Sequence, residues 1–236
     1  NDHNYGIGPA WGLPSDDVAS LGVRANGHVA VAPAGIQWLL DWDGFSFTSL
    51  IPQGFDILEV DEDGQGRLWA AHYGNGGVSR VIGTQRANFS SANSPLPAGD
   101  IGSIEVDPVD ASFVWIATAF GVARTDGATW DVYPRGLLGL NQNTIAHLLS
   151  CAAPHPDGSV WIGSYSGLYR LDPATGQFTR YHKTNSALPS NDVHQVHMAR
   201  DGSVWVGTFD QVWPYPGGLT HFVDGVGTHY AMADSP

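Results

Sequence analysis

What the chain lacks narrows its reading first. It has 236 residues but a single cysteine, Cys151, so no internal disulfide can form. It has a single lysine, Lys183, and a net charge of −13. That balance, with no basic cluster, excludes nucleic acid and an anionic membrane surface as natural partners. No run of eighteen apolar residues is present, so membrane insertion is not expected. No basic segment followed by an apolar stretch opens the sequence, and no signal peptide is expected in it. Glutamate occurs three times, at Glu59, Glu62 and Glu105. The chain is instead rich in Gly (30), Pro (15) and Trp (9), and 42% hydrophobic, which excludes a disordered polymer. Cys151 sits among apolar neighbours and reads as a small core residue.

One phrase recurs: a small residue, any residue, Val or Leu, Trp, an apolar residue, then Gly or Ala. It is centred on Trp69, Trp115, Trp161 and Trp205, at intervals of 46, 46 and 44 residues, with a degenerate copy at Gly27–Ala32. An apolar pair precedes each copy: Val18/Leu21, Phe55/Leu58, Ile101/Ile104, Ile145/Leu148 and Val193/Val196. A Gly-bearing turn and a second apolar run follow each phrase, with Gln211-Val212 in place of the Gly turn in the last unit. A segment carrying aromatics comes last, with Leu219–Val223 filling that slot in unit five. Each unit therefore predicts four short strands, A to D, separated by turn residues. One small sheet cannot bury both faces, but a radial stack of sheets can. The sequence thus predicts an all-β fold, a single β-propeller of about five four-stranded antiparallel blades. The repeats are roughly 13–50, 51–91, 92–133, 134–181 and 182–224, with 1–12 and 225–236 as closing or terminal segments; the ring closing at five is the preferred reading, and further blades upstream are the alternative. A helix over Thr144–Ala153 is the rival reading, set aside because that segment fills a strand A slot.

The run Leu188–Val212, with Asp201-Gly202-Ser203-Val204-Trp205-Val206-Gly207-Thr208, resembles the two-component regulator propeller repeat. So does Asp157–Asp172. The resemblance implies a propeller of the kind that forms extracytoplasmic sensors of hybrid histidine kinases, many of which bind oligosaccharide fragments. It thus implies a secreted or periplasmic location.

In a propeller the B–C loops and the starts of strand A share one face around an axial channel. The B–C loops carry Tyr73, Phe120, Tyr165 and Phe209. The strand A starts carry Asp17, Asp100, Asn143 and Asp192. An aromatic ring covers the apolar face of a pyranose, and short acids and amides accept its hydroxyl protons. Turn chemistry alone also accounts for acids before strands. Nearer the axis, Glu59 and Glu105 are read at one repeat position with His197, a set suited to acid–base work in a lyase or hydrolase. Packing between blades is the competing account and the better one. The sequence therefore assigns no catalytic residue. If Asn1 is a free terminus, Asn1-Asp2-His3 offers a square-planar Cu(II) set; otherwise no metal and no cofactor is expected. The periodic Arg80, Arg124 and Arg170 read as blade tethers, with Asp126 and Asp172 as partners. The leading expectation is a non-catalytic ligand-binding propeller for a glycan or other small polar molecule. The alternatives are a scaffold for another protein within an assembly and the axial enzyme.

Overall fold

The computed structural model describes residues 13–15, 17–51, 56–138, 149–209 and 217–230. Twenty strands form five four-stranded sheets, each an up-and-down antiparallel meander in chain order. Blade 1 holds β1 (Val18–Val23), β2 (Val29–Pro33), β3 (Leu39–Trp42) and β4 (Phe47–Ile51). Blade 2 holds β5 (Ile57–Glu62), β6 (Leu68–His72), β7 (Val78–Ile82) and β8 (Gln85–Phe89). Blade 3 holds β9 (Ile101–Val106), β10 (Val114–Thr118), β11 (Gly121–Thr125) and β12 (Trp130–Pro134). Blade 4 holds β13 (Leu149–Pro154), β14 (Val160–Ser164), β15 (Gly167–Asp172) and β16 (Gln177–Tyr181). Blade 5 holds β17 (Val193–Met198), β18 (Val204–Thr208), β19 (Gly218–Val223) and β20 (Val226–Tyr230). The five-bladed propeller read from the sequence is thus observed.

The repeated tryptophan organises each blade. Trp69, Trp115 and Trp161 are buried on the face toward the following blade. Each stacks on an aromatic of its own outermost strand: Trp69 on Phe89 (5.9 Å), Trp115 on Tyr133 (5.9 Å), Trp161 on Tyr181 (5.3 Å) and Trp205 on Tyr230 (5.8 Å). The following blade supplies branched aliphatic side chains. Ile101, Ile104, Val114 and Ile116 pack with Trp69, and Val160, Ile162 and Leu171 with Trp115. Cys151 lies in the core shared by blades 4 and 5, as its context predicted.

Three boundaries differ from the sequence reading. In blade 5 the segment Leu219–Val223 belongs to the third strand, because a tight turn at Asp224-Gly225 (φ 49° and 78°) returns the chain as β20. The Gln211-Val212 turn lies outside the described residues. In blade 2 the inner-strand anchors are Ile57 and Val60, two residues later than expected. In blade 4 the inner strand begins at Leu149, with Ile145 and Leu148 outside the described residues. Leu149–Pro154 is a strand, so a helix does not extend through it.

At four junctions the inner strands lie side by side: β1 with β5, β5 with β9, β9 with β13 and β13 with β17. Among the described residues no comparable apposition joins β17 to β1. On β1, Val18, Leu21 and Val23 are 43%, 62% and 81% exposed, whereas Ile104, the counterpart of Leu21, is 1% exposed. The expected closure of blade 5 onto blade 1 is not formed by these strands.

Candidate functional site: the channel mouth and the axial channel

Every inner strand carries a register shift near its start. The extra residue is Ala19, Leu58, Gly102, Ser150 or His194. A bulge frees one residue from the ladder and re-aims its side chain. In blades 1, 2, 3 and 5 the B–C loop then hydrogen-bonds back to the residue before the strand. The Tyr73, Ala119 and Phe209 amides donate to the carbonyls of Asp56, Asp100 and Asp192 (2.8, 2.9 and 2.9 Å), and the Ala34 amide donates to Asp17 (2.9 Å). These bonds put acid and aromatic at the same end of their blade. Tyr73, Phe120, Tyr165 and Phe209 are all exposed there.

The structure gathers only part of the expected set. At the junction of blades 4 and 5, the His194 ring lies 5.5 Å from Tyr165 and 5.9 Å from Phe209, edge-on to the latter. Its Nε2 is 3.0 Å from Oδ1 of Asp192. Two aromatics, an imidazole and a carboxylate thus form one cluster. Phe120 is engaged otherwise: the guanidinium of buried Arg135 lies 4.3 Å from its ring centre and donates to the Ala119 carbonyl. Tyr73, Asp17 and Asp100 are exposed in their own blades and join no ring cluster among the described residues. Asn143 and the Asn1-Asp2-His3 set lie outside the described residues. Sequence reading missed His194 and Asp56. The bulge at the start of β17 concealed the first, and the displaced blade 2 anchors concealed the second.

The axial residues prove to be cross-blade struts. The Val60 amide donates to Ser20 Oγ (3.1 Å), Ile104 to Glu59 Oε2 (2.7 Å), Val106 to Asp61 Oδ2 (2.9 Å) and Ala152 to Ser103 Oγ (2.8 Å). Each side chain of one blade thereby satisfies an amide on the inner edge strand of the next, which would otherwise face the channel unpaired. Register corrects the expected alignment. Glu59 opposes Ala71 as Ser103 opposes Ala117, whereas Glu105 opposes Trp115 as Asp61 opposes Trp69 and His197 opposes Trp205. Glu59 and Glu105 therefore sit one layer apart.

Glu105 is the exception among the struts. The residue it should reach in blade 4, matching Val106 in blade 3, is Pro154, which has no amide proton. Its carboxyl accepts no hydrogen bond from a described residue. Burial, then the charges of Glu59 and Asp61, push its pKa up to about 8. Burial also raises Glu59 and Asp61, against the amides of Ile104 and of Val106 and Glu62 respectively. Glu59, Ser103, Glu105 and Gln195 line an axial cavity of about 150 Å³, and Glu105 and His197 line a neighbouring one of about 250 Å³. His197 pairs with neither carboxylate among the described residues. No group of three or more metal-ligating side chains occurs among the described residues.

The periodic arginines do not pair with the Asp126 and Asp172 carboxylates. Arg80 reaches the Asp126 carbonyl in the next blade (2.6 Å), Arg124 holds Asp107 (2.5 Å), and Arg170 holds Asp157 (2.6 Å). The turn acids instead cap their own loop amides, as Asp126 does for Ala128 and Thr129.

Residues 187–210 match the model of the two-component regulator propeller, so the chain carries that repeat. No curated protein sequence matches the chain. Among solved structures it is similar to the extracellular domain of a hybrid two-component system from B. thetaiotaomicron, at 18% identity and TM-score 0.70. That alignment covers 92% of this chain and 30% of the other, so the chain spans under a third of that domain. It is similar also to a catalytically inactive virginiamycin B lyase from Staphylococcus aureus with quinupristin (14%, TM-score 0.70, covering 95% and 73%). A third is a gluconolactonase from Xanthomonas campestris (13%, TM-score 0.59, covering 92% and 76%). At these identities the likeness establishes the fold. No helix among the described residues is long and apolar enough to cross a membrane.

Proposed function

We propose that this propeller is a non-catalytic, extracytoplasmic ligand-binding domain that holds a glycan or other small polar molecule at the channel mouth. The observation that carries the reading is the cluster of Tyr165, His194, Phe209 and Asp192 at the junction of blades 4 and 5. Exposed rings beside a carboxylate and an imidazole match the apolar face and the hydroxyl edge of a sugar ring. His194 sits on the inner strand β17, with Asp192, Tyr165 and Phe209 on the short connections beside it. The similarity to an extracellular domain of a two-component system supports the location and the sensor role. Calorimetric titration with neutral oligosaccharides tests it. Tyr165→Ala and Phe209→Ala should each weaken binding about tenfold, the factor that about 1.4 kcal/mol represents. Silence across the panel, with retention of a folded protein partner, would favour the scaffold reading.

A lyase or hydrolase is the second reading, favoured by one observation: Glu105 keeps its proton at neutral pH inside a channel cavity. A proton donor of that kind suits general acid catalysis. Turnover of any candidate substrate would then vanish in Glu105→Gln.

A further inference from the structure

Blades that radiate from an axis diverge outward, so each junction contains a wedge between the outer strands. The wedge between blades 2 and 3 is filled. Arg67 and Arg80 both donate to the Asp126 carbonyl (3.2 and 2.6 Å), Arg67 also donates to that of Ser112 (2.6 Å), and Phe89 meets Trp130 edge-on at 5.6 Å.

The next wedge is built differently. Blade 3 has Phe113 where blade 2 has Arg67, by the register of Val114 with Leu68. The Arg124 guanidinium, which corresponds to that of Arg80, lies over the Phe113 ring at 3.8 Å and binds Asp107 of its own blade. Cation–π attraction and an ion pair therefore draw Arg124 back from the gap. Tyr133 reaches across it with a long side-chain bond, from its hydroxyl to the Pro173 carbonyl (3.4 Å). What remains is a groove of about 800 Å³, within the roughly 300–1,000 Å³ of small-molecule sites.

Its lining specifies a ligand class. Tyr133, backed by buried Trp115, supplies an aromatic surface. Arg124 stands between Asp107 and Asp131, and across the groove Arg170 binds Asp157 and Ser159. Such fixed pairs set donors and acceptors side by side, the pattern that vicinal hydroxyls complement. A cationic peptide would meet two guanidinium groups, an anionic ligand would meet four carboxylates, and a lipid chain would leave all of them unsolvated. We propose that the groove between blades 3 and 4 is a second binding site, separate from the mouth, for a neutral oligosaccharide.

The site can be probed by amide-resolved NMR titration of the whole chain with neutral tetrasaccharides: cellotetraose, maltotetraose, laminaritetraose and mannotetraose. Tetralysine and a heparin-derived tetrasaccharide serve as counter-probes. At least one neutral tetrasaccharide should shift the resonances of Tyr133, Asp131 and Gln177. Asp131→Ala and Gln177→Ala, both at exposed positions, should together weaken that binding at least tenfold. Phe113→Arg, which restores the blade 2 arrangement, should abolish it. Tyr165→Ala at the mouth should leave it unchanged, so the two sites can fail independently. The proposal is overturned if no neutral tetrasaccharide perturbs the groove, if tetralysine or the heparin fragment binds there instead, or if the exposed-position variants bind like the wild type.

Discussion

Asp61 and Glu105 hold the same place in adjacent blades, yet one carboxylate is anchored by an amide and the other is not. The difference is one residue in the next blade, Val106 against Pro154. Glu105 holds its proton up to about pH 8 when folded, against the usual 4.5 of a free carboxyl. Between those values the native state binds more protons than the unfolded chain, so stability falls as pH rises through that window. Glu59 and Asp61, also raised, act in the same direction. Glu105→Gln should therefore raise the melting temperature at pH 7–8 and flatten its decline between pH 5 and 8; coincident profiles for the two proteins would contradict this. A more pointed variant is Pro154→Ala, which supplies the missing amide. It should draw the Glu105 pKa down by about 1–2 units, read from the side-chain carbonyl shift in an NMR titration.

The same logic governs whole strands. The inner strand of every blade is an edge strand, and in blades 2, 3 and 4 the preceding blade covers it with Ser20, Glu59, Asp61 or Ser103. Removing the Ser103 hydroxyl leaves the buried Ala152 amide without its acceptor. Ser103→Ala should cost about 1–3 kcal/mol in urea unfolding, far more than Ser112→Ala in an exposed turn. Much of this element was legible in the sequence. Trp69, Trp115, Trp161 and Trp205 marked the second strand of blades 2 to 5, and Tyr73, Phe120, Tyr165 and Phe209 stand exposed on the loops that follow those strands. The register of Glu59 was not legible. A slip of two residues keeps every side chain on its face, so periodicity cannot detect it. Nor was His194: its importance comes from a one-residue bulge, which leaves no mark in an alternating pattern. Only packing against Tyr165 and Phe209, from another loop and another blade, makes it part of a cluster.

At the scale of the molecule, the three junctions from blade 2 to blade 5 follow one rule. The tryptophan face of a blade meets the branched aliphatic face of the next, as Trp69 meets Ile104. Leu21 occupies the position of Ile104 in blade 1, but no described blade covers it, and Val18 and Val23 beside it are exposed too. The energetic weight of one repeat position should therefore depend on its blade. Ile104→Ala creates a cavity and should cost about 2–5 kcal/mol. Leu21→Ala should change stability by less than about 0.5 kcal/mol, as exposed substitutions do. An equal loss at the two positions in urea unfolding would mean that blade 1 is packed on both faces in solution, as a closed ring requires. A small loss at Leu21 alone would fit the open face. In that case Leu21→Glu with Val23→Glu should reduce concentration-dependent association seen by light scattering, since an apolar inner strand left in water is a site for self-contact.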